Sequence, residues 1–175
     1  MKGFKCYLNR KETVRALPAV LLAFLFSCFM FSCSKKSSPV YSHFVNVDKD
    51  GWENGEYCIF NIVDGAHDVS EFKNKRYDIL LTLRHTTDYP YNNLWVVFEE
   101  AVTPDSVIIS KYNLKLASSS GSWLGHGSHG IYEFTDTLSR NISLSPSAVF
   151  SLRHDMPVSS LPGILDVGLT VIPSL

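Results

Sequence analysis

Apolar and polar positions alternate along most of this chain from Val40 onward. Tyr77, Ile79, Leu81, Leu83 and His85 share one phase, while Asp78, Leu80, Thr82 and Arg84 share the other. A period of two puts successive side chains on opposite sides of an extended backbone, so this run predicts a strand with one apolar face. The same period sets Tyr112, Leu114 and Leu116 against Lys111, Asn113 and Lys115, and Phe150, Leu152, His154 and Met156 against Ser151, Arg153 and Asp155. "LWVVF" at Leu94 to Phe98 is apolar on both phases and predicts a strand covered on both sides; "ILDVGLTVI" at Ile164 to Ile172 predicts a closing strand. Shorter strands are expected at Tyr41 to Val47, Tyr57 to Val63, Val107 to Ser110 and Ile131 to Thr135, with Gly, Pro, Asn or Asp clusters between most of them. Beyond the N-terminal leader, the one helical pattern is about a turn at Asp68 to Lys73. Strands at this spacing predict an all-β fold, a sandwich or an open barrel. Two apolar faces able to oppose one another point to a single jelly-roll-like β-sandwich over 40–175.

The N-terminus follows a different rule. Lys2, Lys5, Arg10, Lys11 and Arg15 precede a run without charge from Ala16 to Ser32. At 17 residues the run is slightly short for a comfortable membrane span of about 20. A basic leader, an apolar run and a small residue before a cysteine read as a lipoprotein signal peptide, residues 1–32, cleaved to leave Cys33 as the lipidated (palmitate-bearing) first residue. An uncleaved signal anchor is the competing reading. Cys28 offers a second cleavage box, but its use would leave apolar "FMF" at the mature N-terminus. Residues 33–39, with "SKKSSP" after the cysteine, have the composition of a flexible tether.

Removal of that leader changes the charge balance. It takes five basic residues and one acidic residue from totals of 16 and 17, leaving 11 positive against 16 negative, a net of −5. Such a balance argues against nucleic acid as a partner, because phosphate binding draws on clustered Lys and Arg. Of four cysteines only Cys58 then remains unlipidated in the mature chain, so no internal disulfide is expected, and its setting in "YCIF" predicts a buried, inert thiol.

Candidate chemistry is sparse. "DKDGWENGE" at Asp48 to Glu56 superficially resembles a calcium loop but lacks the third acidic ligand before the glycine, and is read as a polar turn. His126 and His129 in "GSWLGHGSHG" have no evident third ligand, so no metal is expected. The glycines at 121, 125, 127 and 130 are expected to allow positive φ in a long loop, with Trp123 and Leu124 packed inward. His85 and His154 lie on the apolar phase of their strands and are able to face one another across a sheet, although hydrogen-bonded core histidines are the commoner case. No G-x-S-x-G elbow and no glycine-rich phosphate loop occur, so no enzyme and no cofactor is expected. "RHTTDYPYNNL" at Arg84 to Leu94 is the best recognition surface: Tyr89 and Tyr91 flank Pro90, and rigid aromatics on a turn anchor partners well. The competing reading folds these tyrosines back to close the end of the sandwich.

Together these positions resemble the gliding-motility lipoprotein GldH family of Bacteroidetes. The resemblance is carried by Val40 and Tyr41 after the cysteine, then Trp52, then Arg84, Asp88, Tyr89, Asn93 and Leu94. It continues through the G-x-W-L-G-x-G loop (Gly121, Trp123, Leu124, Gly125, Gly127), His154 with Met156, and the closing Asp166 and Gly168. It implies a component without catalytic activity, tied to the gliding machinery and the associated type IX secretion system; similar proteins in non-gliding members of the phylum broaden this to an envelope function. Surface-displayed lipoproteins of the phylum tend to carry acidic residues after the cysteine, so "SKKSS" implies the periplasmic leaflet of the outer membrane. Two hypotheses follow: a scaffold that docks other envelope proteins through Tyr89, Tyr91, Asn93 and Trp123, and a glycan-binding sandwich that uses Tyr89, Tyr91 and Trp123.

Overall fold

The computed structural model describes residues 38–65, 75–103, 106–145 and 147–174. The expected signal peptide, Cys33, all but the end of the expected tether and the expected turn at Asp68 to Lys73 lie outside these residues. In chain order the elements are β1 (Tyr41–Asn46), β2 (Trp52–Glu53), β3 (Cys58–Asn61), one helical turn α1 (Ile62–Gly65), β4 (Tyr77–Thr86), β5 (Asn93–Thr103), β6 (Ser106–Lys115), β7 (His126–Ser128), β8 (Ile131–Ile142), β9 (Val149–His154), β10 (Ser160–Leu161) and β11 (Ile164–Pro173).

The strands form a five-stranded sheet in the order β1-β11-β4-β8-β7, a four-stranded sheet β3-β9-β5-β6, and a two-stranded patch β10-β2. All pairings are antiparallel. The expected all-β sandwich is therefore the observed fold. Its core is built from the predicted phases: Ile79, Leu81 and Leu83 of β4 and Val167, Leu169 and Val171 of β11 face Phe60, Phe98, Phe150, Leu152 and Leu114 of the other sheet. Phe98 and Phe150 stack at 5.5 Å.

Several local expectations change. Val107 to Ser110 and Tyr112 to Leu116 join into the single strand β6, and the strand begun at Ile131 continues to Ile142. Ser110 and Lys111 stay in register with Phe98 and Val97, so nothing interrupts the ladder where the apolar pattern breaks. The "polar turn" is exposed and polar at both ends but buries Gly51 and Trp52 between them. Asp48 accepts the Gly51 amide at its carbonyl and the Asp50 amide at its carboxylate, and then Trp52 enters β2 fully buried, its indole N–H donating to the Glu56 carbonyl. In "LWVVF", Val97 is buried as expected, but Trp95 is 41% exposed.

His85 and His154 are both fully buried, in different sheets, and each packs in its own cluster. His154 lies edge-on to Trp52 at 5.4 Å, its Nε2–H donates to the Trp52 carbonyl at 3.0 Å and its Nδ1 accepts from the Met156 amide. The predicted buried thiol is also found: Cys58 is 3% exposed, with its pKa pushed up to about 12, chiefly by burial.

Candidate functional site

The proposed recognition loop follows β4. Tyr89 does not project from it. The ring is 2% exposed, the hydroxyl donates to the Asn93 carbonyl at 2.8 Å, and burial raises the phenol pKa. What holds Tyr89 down is a close approach of backbone: Gly163 has φ +83°, and a Cβ there would overlap the Tyr89 main chain. The loop is pinned further by the Thr86 amide donating to the Gly163 carbonyl.

Around Tyr89 the fold gathers a cluster of rings. Tyr91 meets it edge-on at 5.9 Å, Trp123 lies at 6.4 Å and His85 at 5.8 Å; Trp123 in turn sits 4.5 Å from His85 and 5.9 Å from Tyr132. Trp123 and Tyr91 are half-buried, packed against the core, and the glycine-rich loop brings Trp123 there. Only Gly121 and Gly130 of the four loop glycines have positive φ. Gly125 and Gly127 serve instead by lying flat on β8, where a Cβ would overlap the carbonyls of Glu133 and Ile131. Leu124, expected to pack inward, is 48% exposed because the Ala117–Trp123 bridge points its neighbour into the cluster. His126 and His129 are exposed, and no group of metal-ligating side chains occurs among the described residues.

At the centre of the cluster His85 donates from Nδ1 to the Thr86 carbonyl at 3.0 Å. Its Nε2 is the one buried side-chain nitrogen or oxygen among the described residues without a hydrogen-bond partner. Burial lowers the imidazole pKa, which favours the neutral ring, and the rings of Tyr89, Trp123 and Tyr132 pack around it. This end of the sandwich is thus a closed aromatic plug. Tyr89, one of the four predicted contact residues, acts from inside it.

Asn93 belongs elsewhere. Its Nδ2 donates to Asn113 Oδ1 at 2.7 Å on the outer face of the four-stranded sheet, two residues from Trp95. That face was missed in sequence. Its rows, read from the register, are Asp155–Trp95–Asn113, Arg153–Val97–Lys111, Ile59–Ser151–Glu99–Ile109 and Asn61–Val149–Ala101–Val107. Trp95, Tyr57, Ile59 (54%), Val107 and Ile109 (63%) are exposed on it. Between them runs a polar lattice: Lys111 to Asp155 at 2.7 Å, Arg153 to Asp155 at 3.5 Å, Arg153 over the Tyr57 ring at 5.9 Å, and Ser151 and Tyr57 hydroxyls donating to Glu99. The Lys111 ammonium, hydrogen-bonded to Asp155, is the main cause holding that carboxyl below its ordinary pKa. The available signal was phase: Trp95 shares the side of Asn93, Asn113 and Lys111, and the apolar run around it hid this.

Residues 39–171 match the model of a family described as GldH lipoprotein. A gliding motility lipoprotein GldH homolog of Christiangramia forsetii is 25% identical over 160 residues, covering 85% of this chain and 91% of that protein. Among solved structures, the tobacco streak virus coat protein matches 81% of this chain and 90% of its own at 11% identity and a TM-score of 0.30. The tomato aspermy virus structure matches 91% and 94% at 12% identity and 0.31. At those values the viral likenesses carry no argument.

Proposed function

This chain belongs to the GldH lipoprotein family, and on that premise we propose that it is a gliding-motility-associated, membrane-anchored lipoprotein that works by docking rather than catalysis. In this reading Cys33 carries the lipid, the domain faces the periplasm from the outer membrane, and the partners are envelope proteins of the gliding and type IX secretion machinery. The observation that carries it is the outer face of the four-stranded sheet. Trp95, Tyr57 and Ile59 stand exposed around a lattice of ion pairs, so aromatic and aliphatic side chains able to anchor a partner surround charges that are already paired.

Crosslinking pull-down from native membranes tests the proposal. Trp95→Ala combined with Ile59→Ser should release the captured envelope protein and lower gliding or secretion, with the variant still folded and anchored. Normal motility, secretion and partner levels in a deletion strain would defeat it. A melting temperature that rises with added sugar would move weight to the glycan-binding alternative, for which Tyr91 and Trp123 are the half-exposed rings.

A further inference from the structure

One end of the sandwich combines the point where the chain enters with an uncovered apolar rim. Tyr41, the first residue of β1, opposes Val171, which opposes Ile79, and Tyr77 opposes both Pro173 and Ile142. His43 packs on Phe60 at 6.4 Å, and Phe60 shares a row with Phe150, Glu100 and Ile108. The start of β6 is therefore at the same end as the start of β1. There Val63, Val107, Ile108 and Ile109 are each more than half exposed. Val107 and Ile109 point to the outer face; Ile108 is on the inner phase but stands at the open edge strand of its sheet, where the partner sheet does not cover it.

The charged groups at this end are unequal. Lys75 and Arg76 are exposed, and the Arg140 side chain is 73% exposed. Among the described side chains, Asp78 accepts from Ser174 and from the Asn141 amide and lies 4.0 Å from Arg140, and Glu100, opposite Ile108, is partly buried. A surface of aliphatic side chains edged by cations suits the headgroup boundary of a bilayer with anionic lipid.

Tyr41 lies eight positions after Cys33. A chain of that length cannot exceed about 29 Å end to end. Even at that limit it falls short of the height of a ten-residue strand such as β6, roughly 31 Å. A lipid on Cys33 thus brings the entry end to the membrane and holds the aromatic plug away from it. Resting on the reading that Cys33 is the lipidated residue, we infer that the entry end of the sandwich, through Val63, Val107, Ile108 and Ile109 with Lys75, Arg76 and Arg140, sits against the bilayer surface. The domain then stands upright, with the Trp95 face turned sideways to meet a neighbour.

The test uses the full-length lipidated protein, with a fluorophore on Ile108→Cys or on Lys115→Cys, in vesicles of phosphatidylethanolamine and phosphatidylglycerol containing a nitroxide-labelled lipid. Cys58 does not compete for label, being buried. The two positions lie about 24 Å apart along one strand. Quenching should be several-fold stronger at 108 than at 115. Adding Val63→Asp and Ile109→Asp should cut the quenching at 108 toward the level at 115 while the protein still floats with the vesicles. Equal quenching at the two sites overturns the inference and leaves the anchor standing. So does quenching at 108 that the aspartates do not change, or a photocrosslinker at 108 that captures protein and not lipid in native membranes. Wild-type protein that fails to float and lacks an acyl chain by mass spectrometry removes the anchor reading, and the inference with it.

Discussion

The two sheets of this sandwich bury their inner faces alike and finish their outer faces differently. On the five-stranded sheet Ser42 meets Thr170, Thr82 meets Thr135, and Arg84 reaches both Asp166 at 2.7 Å and the face of Phe44 at 4.8 Å. Gly168 opens the space in which the Phe44 ring lies, since a Cβ there would overlap it. That face is mostly polar, with Phe44 (36%) and Ile131 (46%) as its exposed apolar side chains. The four-stranded sheet instead leaves Trp95, Tyr57 and Ile59 exposed around a core of ion pairs. Cross-strand pairs stabilise either face by only a few tenths to one kcal/mol each, so stability does not require large apolar side chains in solvent. Under the docking proposal, the contrast separates a mostly polar face from one whose exposed aromatic and aliphatic side chains meet a partner.

The comparison is broken most forcefully from inside. Trp52→Ala should cost roughly 3–5 kcal/mol, and Leu81→Ala and Leu152→Ala roughly 2–5 kcal/mol each, one from each sheet, by urea unfolding. A small effect in one sheet and a large one in the other would mean that the inner faces are not equivalent.

A middle effect is expected on the polar outer face. Arg84→Ala leaves Asp166, whose side chain is 9% exposed, without its cation. Because the arginine is 40% exposed and its partner pair is screened, the cost should be about 1–2 kcal/mol, and high salt should weaken the wild-type contribution.

Next comes pH. His85 and His154 both have pKa values lowered by burial. Below the ordinary histidine pKa of about 6.5 the unfolded chain binds protons that the folded chain refuses, so stability is full above that pH and falls as pH drops through it. His85→Phe keeps an aromatic ring, removes the unpaired nitrogen, and should flatten the acid slope with little loss at neutral pH. An unchanged slope would show that His85 does not contribute to it.

The smallest stability effect should be on the contact face. Trp95→Ala and Lys115→Ala should each change unfolding by no more than about 0.5 kcal/mol. Partner capture, in contrast, should fall about 30-fold with Trp95→Ala, a loss of about 2 kcal/mol of binding. The reverse pattern, a large stability loss with capture intact, would assign Trp95 to the fold.

Sequence by itself determined the strands with strong alternation, because burying one face of a sheet writes a period of two directly into residue order. It determined the core phases of β4, β6 and β9, the buried Cys58 and the membership carried by dispersed short motifs. Elements set by contacts distant in sequence stayed hidden. β2 and β10 are two residues each, and what makes them strands is only that Trp52–Glu53 meets Ser160–Leu161. Tyr89 is internal because Gly163, 74 positions away, lets backbone press on it. Trp95 is exposed while Val97, two residues on and on the same face, is buried between Arg153 and Lys111, a matter of cross-strand neighbours that an apolar run cannot express. Local pattern reports which face of a strand is apolar. What covers that face, and what is left open for a partner or a membrane, depends on which strands become neighbours, and only the tertiary structure decides that.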